Sequence, residues 1–160
     1  MSDASTEPVT DRETGSATTT IAAPVADVFA AVTDVTRMGE WSPECVAGRW
    51  VGAEGPAVGA RFQGDNVVAF GPVPLKRWST TSEVVGYEPN ALFEFVTEGH
   101  TNWRYEFAER DGGTEVTESF SYPPYLGWQK WVYGRLANRR TAMTKGMAKT
   151  LGRIKESLER

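Results

Sequence analysis

Hydrophobic positions along this chain change their period twice, and each change marks a new kind of element. Thr18-Thr19-Thr20-Ile21 is β-prone and predicts a first strand, closed by Ala22-Ala23-Pro24. Val25, Val28, Phe29 and Val32 then fall at i, i+3, i+4 and i+7, the apolar stripe of a short helix. Pro24 suits the start of that helix, where its missing N–H would be unpaired anyway. Residues 34–40 predict a second short helix, stopped near Gly39 and Pro43.

Period two takes over next. Strands are expected at residues 46–51, 60–68, 77–85, 91–97, 102–108 and 114–122, spaced by turn signals as in an antiparallel meander. The clearest hairpin turns at Arg110-Asp111-Gly112-Gly113, because Asp-Gly supplies the positive φ that a tight turn needs. Alternation puts Trp103, Tyr105 and Phe107 on one face of its first strand, with Arg104 and Glu106 on the other. Pro123-Pro124 ends the last strand, and one long helix is expected over residues 126–159. Val132, Leu136, Met143, Met147, Ile154 and Leu158 form its stripe, interrupted by Arg139 and Thr150. Gly134, Gly146 and Gly152 lower its intrinsic propensity, so packing has to hold it.

The fold class that follows is α+β: a helix-grip arrangement in which a curved antiparallel sheet of about six to seven strands and a long C-terminal helix enclose a cavity, with two short helices at one side. The length of 160 residues fits one domain, expected at residues 16–160 behind a disordered tail at 1–15 that has little to bury. No apolar run approaches the ~20 residues of a membrane span, so no integral membrane segment is expected. The acidic start lacks the features of a secretory signal, and Cys45 is the single cysteine. A cytoplasmic location is the expectation. From Tyr125 onward Lys and Arg outnumber Glu nine to two, although the net charge of the whole chain is −4. A basic helix complementing an acidic sheet accounts for this, and the acidic remainder argues against nucleic acid as a partner. Oligomeric state is open between monomer and dimer.

Several chemistries lack their residues. His100 and Cys45 are the only His and Cys, too few for a zinc or iron site, so no metal is expected. There is no Gly-x-Ser-x-Gly elbow, and His100 reads as an exposed turn residue. Neither a phosphate-binding Gly-x-x-x-x-Gly-Lys loop nor a dinucleotide Gly-x-Gly-x-x-Gly turn is present, and no cofactor is expected.

What remains is an apolar cavity with a few polar groups. Trp41, Trp78 and Trp103 are candidate walls, equally readable as core filler, and Met143 and Met147 suit an irregular apolar site. Glu118 shares a strand face with Val116, Phe120 and Tyr122; it is an exposed edge residue or part of an internal ion pair, or, if that face is inward, a carboxylate in an apolar space that must be paired or hold a raised pKa. Arg61, Asn66 and Arg104 are possible partners, yet alternation puts both arginines on the opposite face unless a bulge intervenes near Gly64. Glu44 could cap the mouth or stand exposed, and Tyr105 completes the candidate ligand-binding set.

Five segments carry a resemblance in this order: Ala23-Pro24-Val25-Ala26-Asp27-Val28-Phe29, Trp41-Ser42-Pro43-Glu44, Gly59-Ala60-Arg61-Phe62, Gly113-Thr114-Glu115-Val116-Thr117 and the long C-terminal helix. Together they resemble the START / polyketide cyclase / Bet v 1 superfamily (SRPBCC), nearest its actinobacterial cyclase/dehydrase-like members. The resemblance implies binding of a hydrophobic small molecule such as a lipid, polyketide or aromatic. It also admits a polyketide cyclase/aromatase or dehydrase, with Tyr105, Glu118 and Arg61 moving protons, or a regulatory protein-binding module with a packed interior. Fold alone does not choose among these.

Overall fold

Backbone pairing carries the first strand further toward the N-terminus than its β-prone residues require. The computed structural model describes residues 12–123, 127–128 and 139–160. In it β1 (Glu13–Ile21) pairs antiparallel with β7 (Gly113–Tyr122), from Glu13 opposite Tyr122 to Ile21 opposite Thr114. Residues 13–15, read above as tail, are therefore strand. Their side chains offer little to bury, but their N–H and C=O groups satisfy those of β7. Gly15 is required there: a Cβ would stand 2.6 Å from the Phe120 ring. The rest of the expected tail, up to residue 11, lies outside the described residues.

Five more strands complete the sheet: β2 (Cys45–Val51), β3 (Arg61–Phe70), β4 (Val73–Glu88), β5 (Leu92–Thr97) and β6 (Thr101–Arg110). Their order is β1-β7-β6-β5-β4-β3-β2, with every neighbouring pair antiparallel. Register shifts at Cys45/Ala47, Val68/Ala69 and Val84/Gly86 place irregularities on the β2–β5 side, where such bulges bend strands and strengthen their twist. The β6–β7 turn forms as its sequence demands, with Asp111 at φ 47° and Gly112 at φ 78°.

The β3–β4 hairpin is longer than the strands expected at 60–68 and 77–85: β3 runs to Phe70 and β4 starts at Val73, with Pro74 inside it. Pro74 is tolerated because it sits beside the Val68/Ala69 register shift, where ladder bonding is already interrupted.

The helices lie on one side. In α1 (Val25–Thr33), Val28, Phe29 and Val32 are buried as the stripe requires. The expected second helix is a 3-10 turn at Val35–Arg37 followed by α2 (Met38–Trp41), with the Asp34 side chain accepting a hydrogen bond from the Thr36 N–H at 3.1 Å. The long helix is α3 (Arg139–Leu158), which packs on β1 and β7 and against α1 and α2. Val132, Gly134 and Leu136 fall outside the described residues. Met147, Thr150, Leu151 and Ile154 form its buried face. Lys155 donates to the Thr20 carbonyl at 2.6 Å and Arg153 to the Trp41 carbonyl at 3.2 Å, so two of the helix's cations bond to backbone beside it. Among the described residues no helix is long and apolar enough to cross a membrane.

Candidate functional site

β7 turns Val116, Glu118, Phe120 and Tyr122 to one face, and all four are buried. Register fixes what each of them meets. On β6, Phe107 stands opposite Val116, Tyr105 opposite Glu118 and Trp103 opposite Phe120; on β1, Ala17 stands opposite Glu118 and Gly15 opposite Phe120.

This face divides the interior. On the Val116 side lies a large apolar cluster that includes Ile21, Val28, Phe29, Phe93, Phe107, Leu151 and Ile154. On the other side Phe120, Tyr122 and Met147 form a second, smaller cluster, with Trp103, Met143 and Ala17 packed against it. Glu118 stands on the strand between them.

Glu118 is only 4% exposed. The Tyr105 hydroxyl donates to Glu118 Oε1 at 2.8 Å, while Oε2 is buried with no hydrogen-bond partner among the described residues. Burial disfavours the charged form and pushes the Glu118 pKa up to about 8, against the opposing effect of the Tyr105 bond. Burial, and then the neighbouring Glu118, also hold the Tyr105 hydroxyl well above the usual phenol range. At neutral pH the pair is therefore a neutral carboxylic acid beside a neutral phenol. Desolvation likewise raises the pKa of the nearby Cys45 thiol, which donates to the Ala47 carbonyl at 3.2 Å.

The other expected site residues separate into three groups. Tyr105, Trp103, Met143 and Met147 lie with or beside Glu118, and Trp103 meets Phe120 with ring centroids 5.8 Å apart. Trp41 is buried in the large cluster and carries the Arg37 guanidinium 4.5 Å above its ring. The rest stand apart. Arg61 is exposed on the face opposite Phe62, as alternation requires. Arg104 is held at the outer face by Glu94 at 2.6 Å and Glu106 at 3.1 Å, so neither arginine partners Glu118. Asn66 donates to the Gly64 carbonyl and to Thr80, Glu44 is exposed in the loop before β2, and Trp78 is half-buried beneath Lys76. His100 is exposed, as expected, with Nδ1 2.7 Å from Thr101 Oγ1.

Tyr105 is the partner that elimination among the arginines would miss. Its signal was present, since alternation sets Tyr105 and Glu118 each on an apolar strand face, but their pairing depends on the hairpin register. Two surface clefts occur elsewhere. One, of about 310 Å³, is lined by Thr20–Ala22, Arg110–Gly113, Lys155 and Glu159; the other, of about 320 Å³, lies between Glu40, Trp41 and the end of α3. Neither contains a residue of the Glu118 region.

A helix laid across a curved antiparallel sheet, with its interior broken by one buried acid, defines a helix-grip protein. The chain belongs to the polyketide cyclase / dehydrase and lipid transport family, whose match spans residues 12–159. A polyketide-cyclase-like protein from Corynebacterium glutamicum, solved in solution by NMR, is 36% identical over 93% of both chains with a TM-score of 0.64. Two structures share the fold at lower identity. A protein from Mycobacterium smegmatis is 19% identical, matching 94% of this chain and 98% of its own at a TM-score of 0.63. The di-domain ARO/CYC protein BexL from the BE-7585A biosynthetic pathway is 21% identical over 93% of this chain and 50% of its own length, at a TM-score of 0.71. No curated protein matches the chain.

Proposed function

We propose that the protein binds a hydrophobic small molecule carrying a carbonyl or similar acceptor, with its apolar part against Trp103, Phe120, Tyr122, Met143 and Met147 and its acceptor at Glu118. The observation that carries this reading is Oε2 of Glu118, buried at the boundary of the second cluster and without a partner among the described residues. A buried polar atom without a partner costs about 1–3 kcal/mol, and a ligand that supplies the missing bond recovers that cost. Because Oε1 already accepts from Tyr105, a proton on Oε2 lets the acid donate to a ligand oxygen. Aromatic rings and pliable thioethers suit a planar or acyl body.

The test is fluorescence titration with a planar aromatic ketone across pH 6 to 9.5. Affinity should fall as pH rises through about 8, where Glu118 ionises and Oε2 loses its proton. Glu118→Gln keeps an N–H donor and should remove that dependence, and Met147→Ala should weaken binding at every pH. Binding that is flat with pH in the wild type, or unaffected by Met147→Ala, would overturn the reading.

A second reading is favoured by the same protonated acid. A carboxylic acid with a pKa near the working pH is suited to hand a proton to a carbonyl, as cyclisation or dehydration of a polyketide requires. It would need Glu118→Gln to abolish turnover of a poly-β-ketone while leaving the affinity for the aromatic ketone at neutral pH unchanged.

A further inference from the structure

Four exposed large apolar side chains gather at the end of the β3–β4 hairpin. Phe70 is 77% exposed, Leu75 66% and Val73 56%, with Val68 beside them. The backbone explains why they are uncovered. β4 pairs with β5 only from Ser82 to Glu88, and β2 pairs with β3 no farther than Asn66. Beyond one further bond from the Val67 N–H to the Glu44 carbonyl, the hairpin from there to the Gly71 turn is a two-stranded ribbon with no strand on either side among the described residues.

Its charge is as distinctive as its exposure. Residues 66–78 contain Lys76 and Arg77 and not one of the chain's 21 Asp and Glu. At the base of the ribbon Trp78 is half-buried, with Lys76 Nζ 5.3 Å from its ring centre. Apolar side chains at a tip, with two cations and a Trp together behind them, match the acyl boundary of an anionic bilayer and the headgroup interface above it, where Trp, Lys and Arg gather. Position adds a further point. β4 parts from β5 at Thr97, which pairs with Thr101, and the next residues pair Asn102 with Ser121. The ribbon thus rises from the same end of the sheet as Trp103, Phe120 and Tyr122.

We propose that the β3–β4 ribbon docks the protein onto an anionic lipid surface, with Phe70, Val73 and Leu75 entering the acyl boundary and Lys76 and Arg77 meeting lipid phosphates. A hairpin tip of this size falls far short of the roughly 1,000 Å² that a stable protein interface buries. Insertion into lipid has no such threshold, since each apolar side chain contributes separately and each cation adds to it. The proposal stands independently of what binds at Glu118.

Co-sedimentation with phosphatidylcholine vesicles, with and without a quarter of phosphatidylglycerol, tests it. The wild type should pellet with the anionic vesicles. Phe70→Ser with Leu75→Ser should weaken that binding at least about ten-fold, as expected for two apolar side chains withdrawn from lipid. Lys76→Glu with Arg77→Glu should weaken it by roughly five-fold or more per cation on anionic vesicles only. Because all four side chains are on the surface, thermal melts of both variants should match the wild type. In the unaltered chain, brominated lipid should quench Trp emission, and Trp78→Phe should remove most of the quenching. Failure of the wild type to pellet would overturn the proposal. So would equal pelleting of the Phe70/Leu75 variant, or a concentration-dependent dimer that this variant abolishes without vesicles present.

Discussion

The two sides of Glu118 are built from the same sheet and the same helix, yet among the described residues one carries a large buried cluster and the other a small one. Toward Val116 the interior is closed. Phe29 meets Phe107 edge-on at 5.1 Å, Phe62 meets Phe95 at 5.0 Å, and Val28, Val116, Leu151 and Ile154 fill the space between. Toward Phe120 three of the described residues are buried, two of them a stacked Phe120–Tyr122 pair at 5.8 Å, bordered by a half-buried Trp103 and Met143. α1 makes the difference. Its stripe covers the Val116 side, whereas the Phe120 side is met by α3 through Met147 and Met143. Among the described residues the Val116 side is thus met by two helices and the Phe120 side by one, with fewer apolar side chains to bury.

If that contrast is right, the largest stability loss belongs to the closed side. Phe29→Ala should cost about 3–5 kcal/mol in denaturant unfolding and leave the affinity for a hydrophobic probe intact in the folded fraction. Loss of probe binding in proportion to loss of stability would merge the two regions into one.

Next comes the boundary itself. The folded-state pKa of Glu118, about 8, lies above its ordinary value of 4.5, so between those pH values the native state holds a proton that the unfolded chain has released. Its contribution is therefore fully present below about 4.5 and is lost as pH rises toward 8, at about 1.4 kcal/mol per pH unit. Unfolding free energies measured across that window should fall with this slope in the wild type relative to Glu118→Gln. Parallel curves would show that the carboxyl titrates normally.

On the Phe120 side, Met147→Ala should cost about 2–5 kcal/mol, as for other buried Met side chains. It should weaken probe binding as well. Gly15→Ala reaches the same region from the sheet, where the new Cβ would press on the Phe120 ring and on Thr144 Oγ1, 2.9 Å away. A loss of about 1–3 kcal/mol is expected, with altered probe affinity. The smallest effect belongs to Arg61→Ala, which should stay within about 0.5 kcal/mol and leave binding unchanged, since its side chain is exposed on the outer face. A binding defect there would bring back the arginine as a ligand contact.

Much of this architecture was legible along the chain because periodicity is local. Val28, Phe29 and Val32 on α1, the Asp111-Gly112 turn, and the inward face of Trp103, Tyr105 and Phe107 all follow from spacing and side-chain direction. Alternation also set Glu118 on the face of Val116 and Phe120, but whether that face was inward or an exposed edge was settled only by packing, which buries it. The fold family, too, was readable in the order of the segments.

Three further matters were decided only in three dimensions. That Glu118 meets Tyr105 rather than Arg61 or Arg104 depends on the β6–β7 register, and both hairpin strands offer several polar residues to choose from. That β1 begins at Glu13 depends on β7 being long enough to pair with it, which polar side chains do not reveal. That β3 and β4 continue past their neighbours depends on where β2 and β5 stop, so residues between the expected strands become part of an uncovered ribbon. Sequence determined which face each side chain takes, because that is set by the chain's own dihedral period. Tertiary structure decided which faces meet and which are left bare, because register, strand length and the reach of a helix are properties of two elements at once.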